Sequence, residues 1–272
     1  MTTPTAPAVP NFDHIFVIIM ENHTFAQIIG AADAPYINQL AASYGLAASY
    51  TAITHPSLPN YLALTGGDTF NLTTDCTDCF QNAPNIAADR IAAAGKTWRA
   101  YMESMPSAGF LGDSYPYMQK HDPFVYYDDI RTVPAQLANV VPYTQLATDL
   151  ASAATTPNFV WITPNMTDDM HDGTIAQGDT WLSTAVPAIL SSPAFTTQKS
   201  LLFITWDEND DSAGNQVPTL VIADGVPKGF RSQIAYNHYS LLRTIEVAWN
   251  LAPLTANDAA ASPMADFFPV VG

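Results

Sequence analysis

Three stretches of this chain are apolar throughout and stop abruptly at polar clusters. HIFVIIM (14–20) runs into ENHTF, NFVWITPN (158–165) into MTDDMHDG, and SLLFITW (200–206) into DEND. A strand with one face in water alternates apolar and polar residues. An unbroken β-branched run is buried on both faces, as happens in parallel sheets covered by helices. PTLVIAD (218–224) reads as a fourth strand and TWRAYMES (97–104) as a fifth. Between them lie helical patterns: APYINQLAASYG, NIAADRIAAAG with its closing glycine, TWLSTAVPAILSS and HYSLLRTIEVAWNL. The alternation predicts an α/β fold, a mostly parallel central sheet with helices on both faces, and ligand-binding groups beyond the carboxyl ends of the strands. The polar clusters fall at those ends.

A chain of 272 residues of this pattern suits a single domain, expected over 13–272, with 1–12 as a flexible arm. Residues 105–147, rich in Pro, Tyr and Asp, show no period and predict an irregular insertion over the strand ends. No apolar run approaches 18 residues, so no transmembrane segment is expected. MTTPTAPAVPN lacks the features of a signal peptide, so an exported protein would have lost its signal already. Asp and Glu number 25 against 9 Lys and Arg, a net charge of −16 that opposes binding to nucleic acid or anionic lipid through a basic surface. A small anion or a cation remains compatible. The two cysteines, Cys76 and Cys79 in CTDC, lack the second pair a structural zinc site needs. A disulfide in an exported protein, free thiols and a redox pair stay open.

The chemistry centres on THPSLPNYLALTGG (54–67). Ser57 precedes an apolar helical run, where it can serve as an N-cap. The same place serves a nucleophile, because helix amides and dipole favour a phosphate there, and Asn60, one turn on, can donate to a phosphoryl oxygen. A serine is weakly nucleophilic unless its pKa is lowered, which a divalent ion does directly. Glu21 with Asn22, and Asp207 with Glu208, are adjacent oxygen donors at two strand ends. With Ser57 they form a candidate site for Mg²⁺, Ca²⁺ or Mn²⁺. His23, His55, His121, His171 and His238 all lie in or beside these clusters, where a histidine can bind phosphate, protonate a leaving group or ligate metal.

IMENHTF, THPSLPNYLALTGG, QKHDPFVYY, TPNMTDDMHDGT with GDTWL, ITWDEND and YNHYSLLRTIE together resemble the successive motifs of the bacterial phosphoesterase family of secreted acid phosphatases and non-specific phospholipases C. That family falls within the alkaline phosphatase superfamily. The resemblance spans residue 13 to about residue 250 in consistent order, and implies an alkaline-phosphatase-like sheet. It implies Ser57 as a nucleophile that also touches the metal, Glu21, Asn22, Asp207 and Glu208 as metal ligands, and Asn60, Lys120 and His121 as substrate-binding residues. His171, Asp172 and His238 occupy its later histidine and acid motifs. Glu208 departs from relatives with Asp at that position, and a second metal held by Asp169, His171 and His238 is left open.

The expectation is therefore a secreted or periplasmic, metal-dependent phosphoric monoester hydrolase acting on a small phosphate ester. Ser57 would attack phosphorus in line to give a phosphoserine, and His171 or His238 would protonate the departing alkoxide. Lys120, Arg131 and the histidines are the candidate cations for the additional charge of a monoester. Two other readings stand beside it. One is a phospholipase C or other phosphodiesterase, with GFLGDSYPYM and FVYY as an apolar rim. The other is a non-catalytic, metal-bound binding module.

Overall fold

The computed structural model describes residues 8–212 and 214–269. Most of the arm expected at 1–12 lies outside the described residues. Phe12, at its end, is buried against Phe268, and its carbonyl accepts a hydrogen bond from Trp249 Nε1 at 2.7 Å.

In chain order the strands are β1 (His14–Met20), β2 (Gly45–Ala47), β3 (Tyr50–Thr51), β4 (Trp98–Met102), β5 (Val140–Pro142), β6 (Phe159–Thr163), β7 (Ser200–Trp206), β8 (Thr219–Ala223), β9 (Arg231–Ser232) and β10 (Tyr236–Asn237). Eight of them form one sheet in the order β5-β4-β6-β1-β7-β8-β2-β9, and β10 pairs with β3 apart from it. The five strands from β5 to β7 are mutually parallel, while β8 is antiparallel to both its neighbours. The registers Ile18↔Ile162 and Met20↔Trp206 bring the ends of β1, β6 and β7 level. All seven residues of β1 and of β7 are buried. Alternate side chains of a strand point to opposite faces, so both faces of this sheet are covered. The five strands read from the sequence are all present. β2, β3, β5, β9 and β10, of two or three residues each, are too short to show a period.

Helix Pro35–Ser43 packs on helix Ile175–Leu190, and helix Ser57–Gly66 on helix His238–Ala248. Ile175–Leu190 starts ahead of its apolar pattern because Thr174 and Gln177 form a capping box. Ile86–Ala92 winds as a π-helix, with Asn85 accepting from the Ala88 amide. Residues 105–147 consist of short turns together with β5, and two of these turns, Gln119–His121 and Pro123–Tyr126, pack against helix Ser57–Gly66. The FVYY of that stretch is fully buried, so it cannot furnish the apolar rim expected of it. Burial of two tyrosines and a phenylalanine beneath the site uses that surface for core packing. Among the described residues no helix is long and apolar enough to cross a membrane.

Candidate active site

Three parallel strands deliver acids to one edge. β1 leads into Glu21 and β7 into Asp207 and Glu208, and the loop after β6 returns Asp169, whose carbonyl accepts from the Glu21 amide at 2.9 Å. All four carboxylates are buried. Burial, then the charges of Asp207 and Asp169, push Glu21 well above the carboxylate range. Burial raises Asp207 to about 6, and burial with the charges of Asp207 and Asp75 raises Glu208 to about 9. Asp169 also stands well above its ordinary value, chiefly through burial. Buried acids are shifted in this way where cationic charge is too scarce to hold them ionised.

Ser57 opens the helix Ser57–Gly66, every residue of which is buried. Pro56 takes the N-cap position without a side-chain cap, so Ser57 is not the cap that its place before an apolar run allowed. The Leu58 amide is instead capped from a distance by Asp75 Oδ1 at 3.0 Å. The freed Ser57 hydroxyl lies 3.3 Å from Glu21 Oε2 and 3.3 Å from Glu208 Oε1, donating to one carboxylate at a time. Asn60 Oδ1 accepts from the Ile53 and Thr54 amides, and its Nδ2 donates to the Thr54 carbonyl and, at 3.1 Å, to Glu208 Oε2. Asn60 is thus spent on shaping the THPS turn and holding Glu208, where the sequence suggested a substrate donor. Tyr61, four residues after Ser57 and so on the same helix face, donates to Glu21 Oε1. His55 Nδ1 lies 3.0 Å from Glu208 Oε2.

His121 is buried, stacked on Tyr61, with Nε2 3.3 Å from Glu21 Oε1 and Nδ1 3.4 Å from Asp169 Oδ2. Burial, with Lys120 beside it, holds its pKa far below that of a free imidazole. Lys120 Nζ lies 3.1 Å from Asp75 Oδ2 and 3.2 Å from His171 Nε2. Burial alone would lower its pKa, but Glu21 and Asp75 reverse the sign. An ammonium only donates, so His171 Nε2 accepts, and Nδ1 carries the proton given to Asp172 Oδ1 at 2.9 Å. His171 is held below its ordinary pKa, mainly by burial.

Three further residues read from the sequence are Asn22, His238 and Arg131. Asn22, directly after Glu21, is half-buried in a left-handed conformation with φ 52°. His238 is fully buried at the start of its helix, with Nδ1 3.0 Å from the Tyr50 hydroxyl and Nε2 2.5 Å from the Asp207 carbonyl. Both nitrogens are engaged, and burial lowers its pKa to about 4. The one proton of the neutral imidazole, expected from the sequence to go to the leaving group, is the one Nε2 gives to the Asp207 carbonyl. Arg131 is engaged by Asp128 and stacked over Phe80, away from this cluster. Tyr61 and His55 were legible in part, lying in the same motif as Ser57. Asp75, on a loop 17 residues away from Leu58, carried no signal.

The donor set suits a metal ion. Both carboxylate oxygens of Asp207, one of Asp169 and Nε2 of His121 are buried without a hydrogen-bond partner among the described residues. Glu21, His121 and His171 offer ligand atoms within 4.8 Å of one another. Orphaned buried acceptors beside a surplus of negative charge are what a divalent cation resolves. Cys76 and Cys79, nearby in the loop that holds Asp75, form a disulfide.

The model of a family described as the phosphoesterase family matches residues 31–252. A phosphatidylinositol-3-phosphatase of Mycobacterium tuberculosis is 36% identical over 265 residues, covering 97% of this chain and 85% of that one. A phosphate-repressible acid phosphatase of Penicillium chrysogenum is 33% identical, covering 92% of this chain and 62% of its own length. This chain thus spans only about three-fifths of that fungal relative. A protein of the alkaline phosphatase superfamily from Vibrio parahaemolyticus superposes with TM-score 0.65 at 11% identity, over 95% of this chain and 72% of that one. A lipoteichoic acid synthase from Listeria monocytogenes gives TM-score 0.65 at 8% identity, over 98% and 78%.

Proposed function

The chain belongs to the phosphoesterase family and is an enzyme, and from that premise we propose a metal-dependent phosphoric monoester hydrolase that uses Ser57 as nucleophile. The observation that carries the reading is the Ser57 hydroxyl set between Glu21 and Glu208 at the opening of a helix, among carboxylates left without counter-charge. Membership of an enzyme family removes the non-catalytic reading.

Glu21, Asp207, His121 and Ser57 would hold the cation, with Asp169 and Glu208 beside them and Asn22 next to Glu21 in the chain. When bound, a divalent ion supplies positive charge that keeps the carboxylates ionised and stabilises negative charge at phosphorus. Ionised Glu208 accepts the Ser57 proton at Oε1, its other oxygen being fixed by Asn60 and His55. The Leu58 amide and Lys120 Nζ are the donors for the phosphoryl oxygens. The proton shared by Lys120 Nζ and His171 Nε2 goes to the leaving alkoxide, with Asp172 orienting the imidazole. Water then hydrolyses the phosphoserine. His238 acts earlier in the chain of support, fixing the backbone that presents Asp207.

The substrate is a phosphate monoester. A lipid-borne or diester substrate is the second reading, favoured by exposed Leu111 and Tyr115 and by Lys120 being, among the described residues, the one ammonium set against this cluster. The disulfide favours a secreted or periplasmic location. Nitrophenyl phosphate, bis-nitrophenyl phosphate and phosphatidylcholine should be assayed on chelated protein and again after adding back Ca²⁺, Mg²⁺ or Mn²⁺. The proposal requires monoesterase activity that chelation abolishes and an ion restores, and that Ser57→Ala lacks while folded. Full activity in metal-free protein contradicts it.

A further inference from the structure

We propose that Asp75 is a specificity residue that occupies the phosphoryl-oxygen subsite of the free enzyme, so that every phosphate entering the site must displace its carboxylate. The inference rests on the reading of Ser57 as nucleophile, since it concerns the donors beside that hydroxyl. Those donors are few. The helix amides have no intrahelical partner in the first turn, and among the described residues Lys120 is the cation placed against His171 and within reach of the cluster. Asp75 takes both kinds at once, with Oδ1 on the Leu58 amide at 3.0 Å and Oδ2 on Lys120 Nζ at 3.1 Å. One carboxylate bridging a helix amide and an ammonium beside the nucleophile reproduces the contacts that two oxygens of a bound phosphoryl group would make.

The surrounding loop decides how the subsite opens. The Tyr126 hydroxyl donates to the Cys76 carbonyl at 2.8 Å, Gln119 Nε2 donates to the Thr77 carbonyl at 2.8 Å, and the Cys76–Cys79 disulfide closes the turn. The backbone on the C-terminal side of Asp75 is thereby held. Its carboxylate, 23% exposed, can leave by rotation into solvent without moving that backbone. Phosphate binding therefore exchanges one anion for another on the same donors, and the like charge left beside the entering group opposes it. A dianionic monoester or inorganic phosphate meets more of this opposition than a monoanion does.

The test uses the full chain as purified. Inorganic phosphate binding is measured by calorimetry, and its inhibition constant against nitrophenyl phosphate is measured alongside, for wild type, Asp75→Asn, Asp75→Ser and, as a charge control on the same loop, Asp78→Asn. Asp75→Asn keeps the shape and removes the charge, so it should bind phosphate on the order of tenfold more tightly and lower KM with little gain in kcat, while Asp78→Asn leaves both unchanged. Asp75→Ser should behave alike if the amide variant is poorly folded. Unchanged phosphate binding in both Asp75 variants overturns the proposal. Weaker binding overturns it too, and assigns Asp75 to holding Lys120 in place. Calorimetry does not need turnover, so a wild type without phosphatase activity would sink the functional reading while leaving this measurement decisive for Asp75.

Discussion

Replacing His238 with Gln and with Ala distinguishes a tether from a proton donor. His238 is fully buried, and its two nitrogens contact the Tyr50 hydroxyl and the Asp207 carbonyl. Alanine leaves both partners buried and unpaired, at about 1–3 kcal/mol each, so a loss of about 2–6 kcal/mol is expected at neutral pH. Glutamine can carry its amide nitrogen to the Asp207 carbonyl and should recover roughly half of that. The imidazole also leaves a pH signature. Its folded pKa is lowered from 6.5 to about 4 by burial, so the unfolded chain takes up the proton first as the pH falls. Stability is lost between those two values, by on the order of 3 kcal/mol for the full shift. A glutamine cannot titrate. Denaturant unfolding at pH 7.5 and pH 4 should therefore show wild type losing about 3 kcal/mol more than His238→Gln over that interval. In parallel kinetics, Gln should retain most of kcat where Ala loses it, because the amide still holds the Asp207 backbone. The reasoning is refuted if Gln is as inactive as Ala while staying folded and metal-loaded, or if the two proteins lose stability equally on acidification.

Tyr61→Phe removes a donor to Glu21, and hydrogen bonds to charged groups contribute about 1.5–3 kcal/mol. It should weaken metal affinity, read by calorimetric ion titration, with KM for substrate little changed; unaltered ion binding contradicts the role given to Tyr61. In metal-stripped protein the stability contributed by Asp207 and Glu208 should be largest in acid, a comparison made in the His238→Gln background so that the imidazole does not titrate against it. Asp207 near 6 and Glu208 near 9 both lie above their ordinary values, so the folded state keeps its protons longer and stability falls as pH rises through that range. Thermal scans from pH 5 to pH 9 should show Tm of the stripped protein declining and an added ion restoring it at the alkaline end. A flat profile would show that the acids carry no such strain.

Long apolar runs made the centre of the sheet legible. HIFVIIM, NFVWIT and SLLFITW have no alternation because β1, β6 and β7 are covered on both faces, and Glu21, Asp207 and Glu208 follow the first and last of these runs directly, while Asp169 lies on the loop beyond the second. Ser57 was legible because a serine between two prolines ahead of an apolar run is a local signal. What escaped depends on contacts distant in sequence. Asp75 caps a helix it does not belong to, and His121, named from its motif for substrate, lies instead against Glu21 and Asp169 because it arrives on a 3₁₀ turn that has no period of its own. The orientation of His238 follows from β10 pairing with β3, which brings Tyr50 against it; two-residue strands leave no trace in composition. Asn60 shows the converse limit. Its place one turn after Ser57 was plain, yet whether its amide faced substrate or backbone depended on the fold of residues 53–56.

The central claim is that Ser57 becomes covalently phosphorylated during turnover. Protein mixed with a phosphate monoester, quenched in acid and digested should yield the peptide containing Ser57 with one phosphoryl group, present in wild type and absent from Ser57→Ala. Hydrolysis that proceeds at full rate with no phosphoryl group on Ser57 at any quench time, or with the label on another residue, would contradict the account.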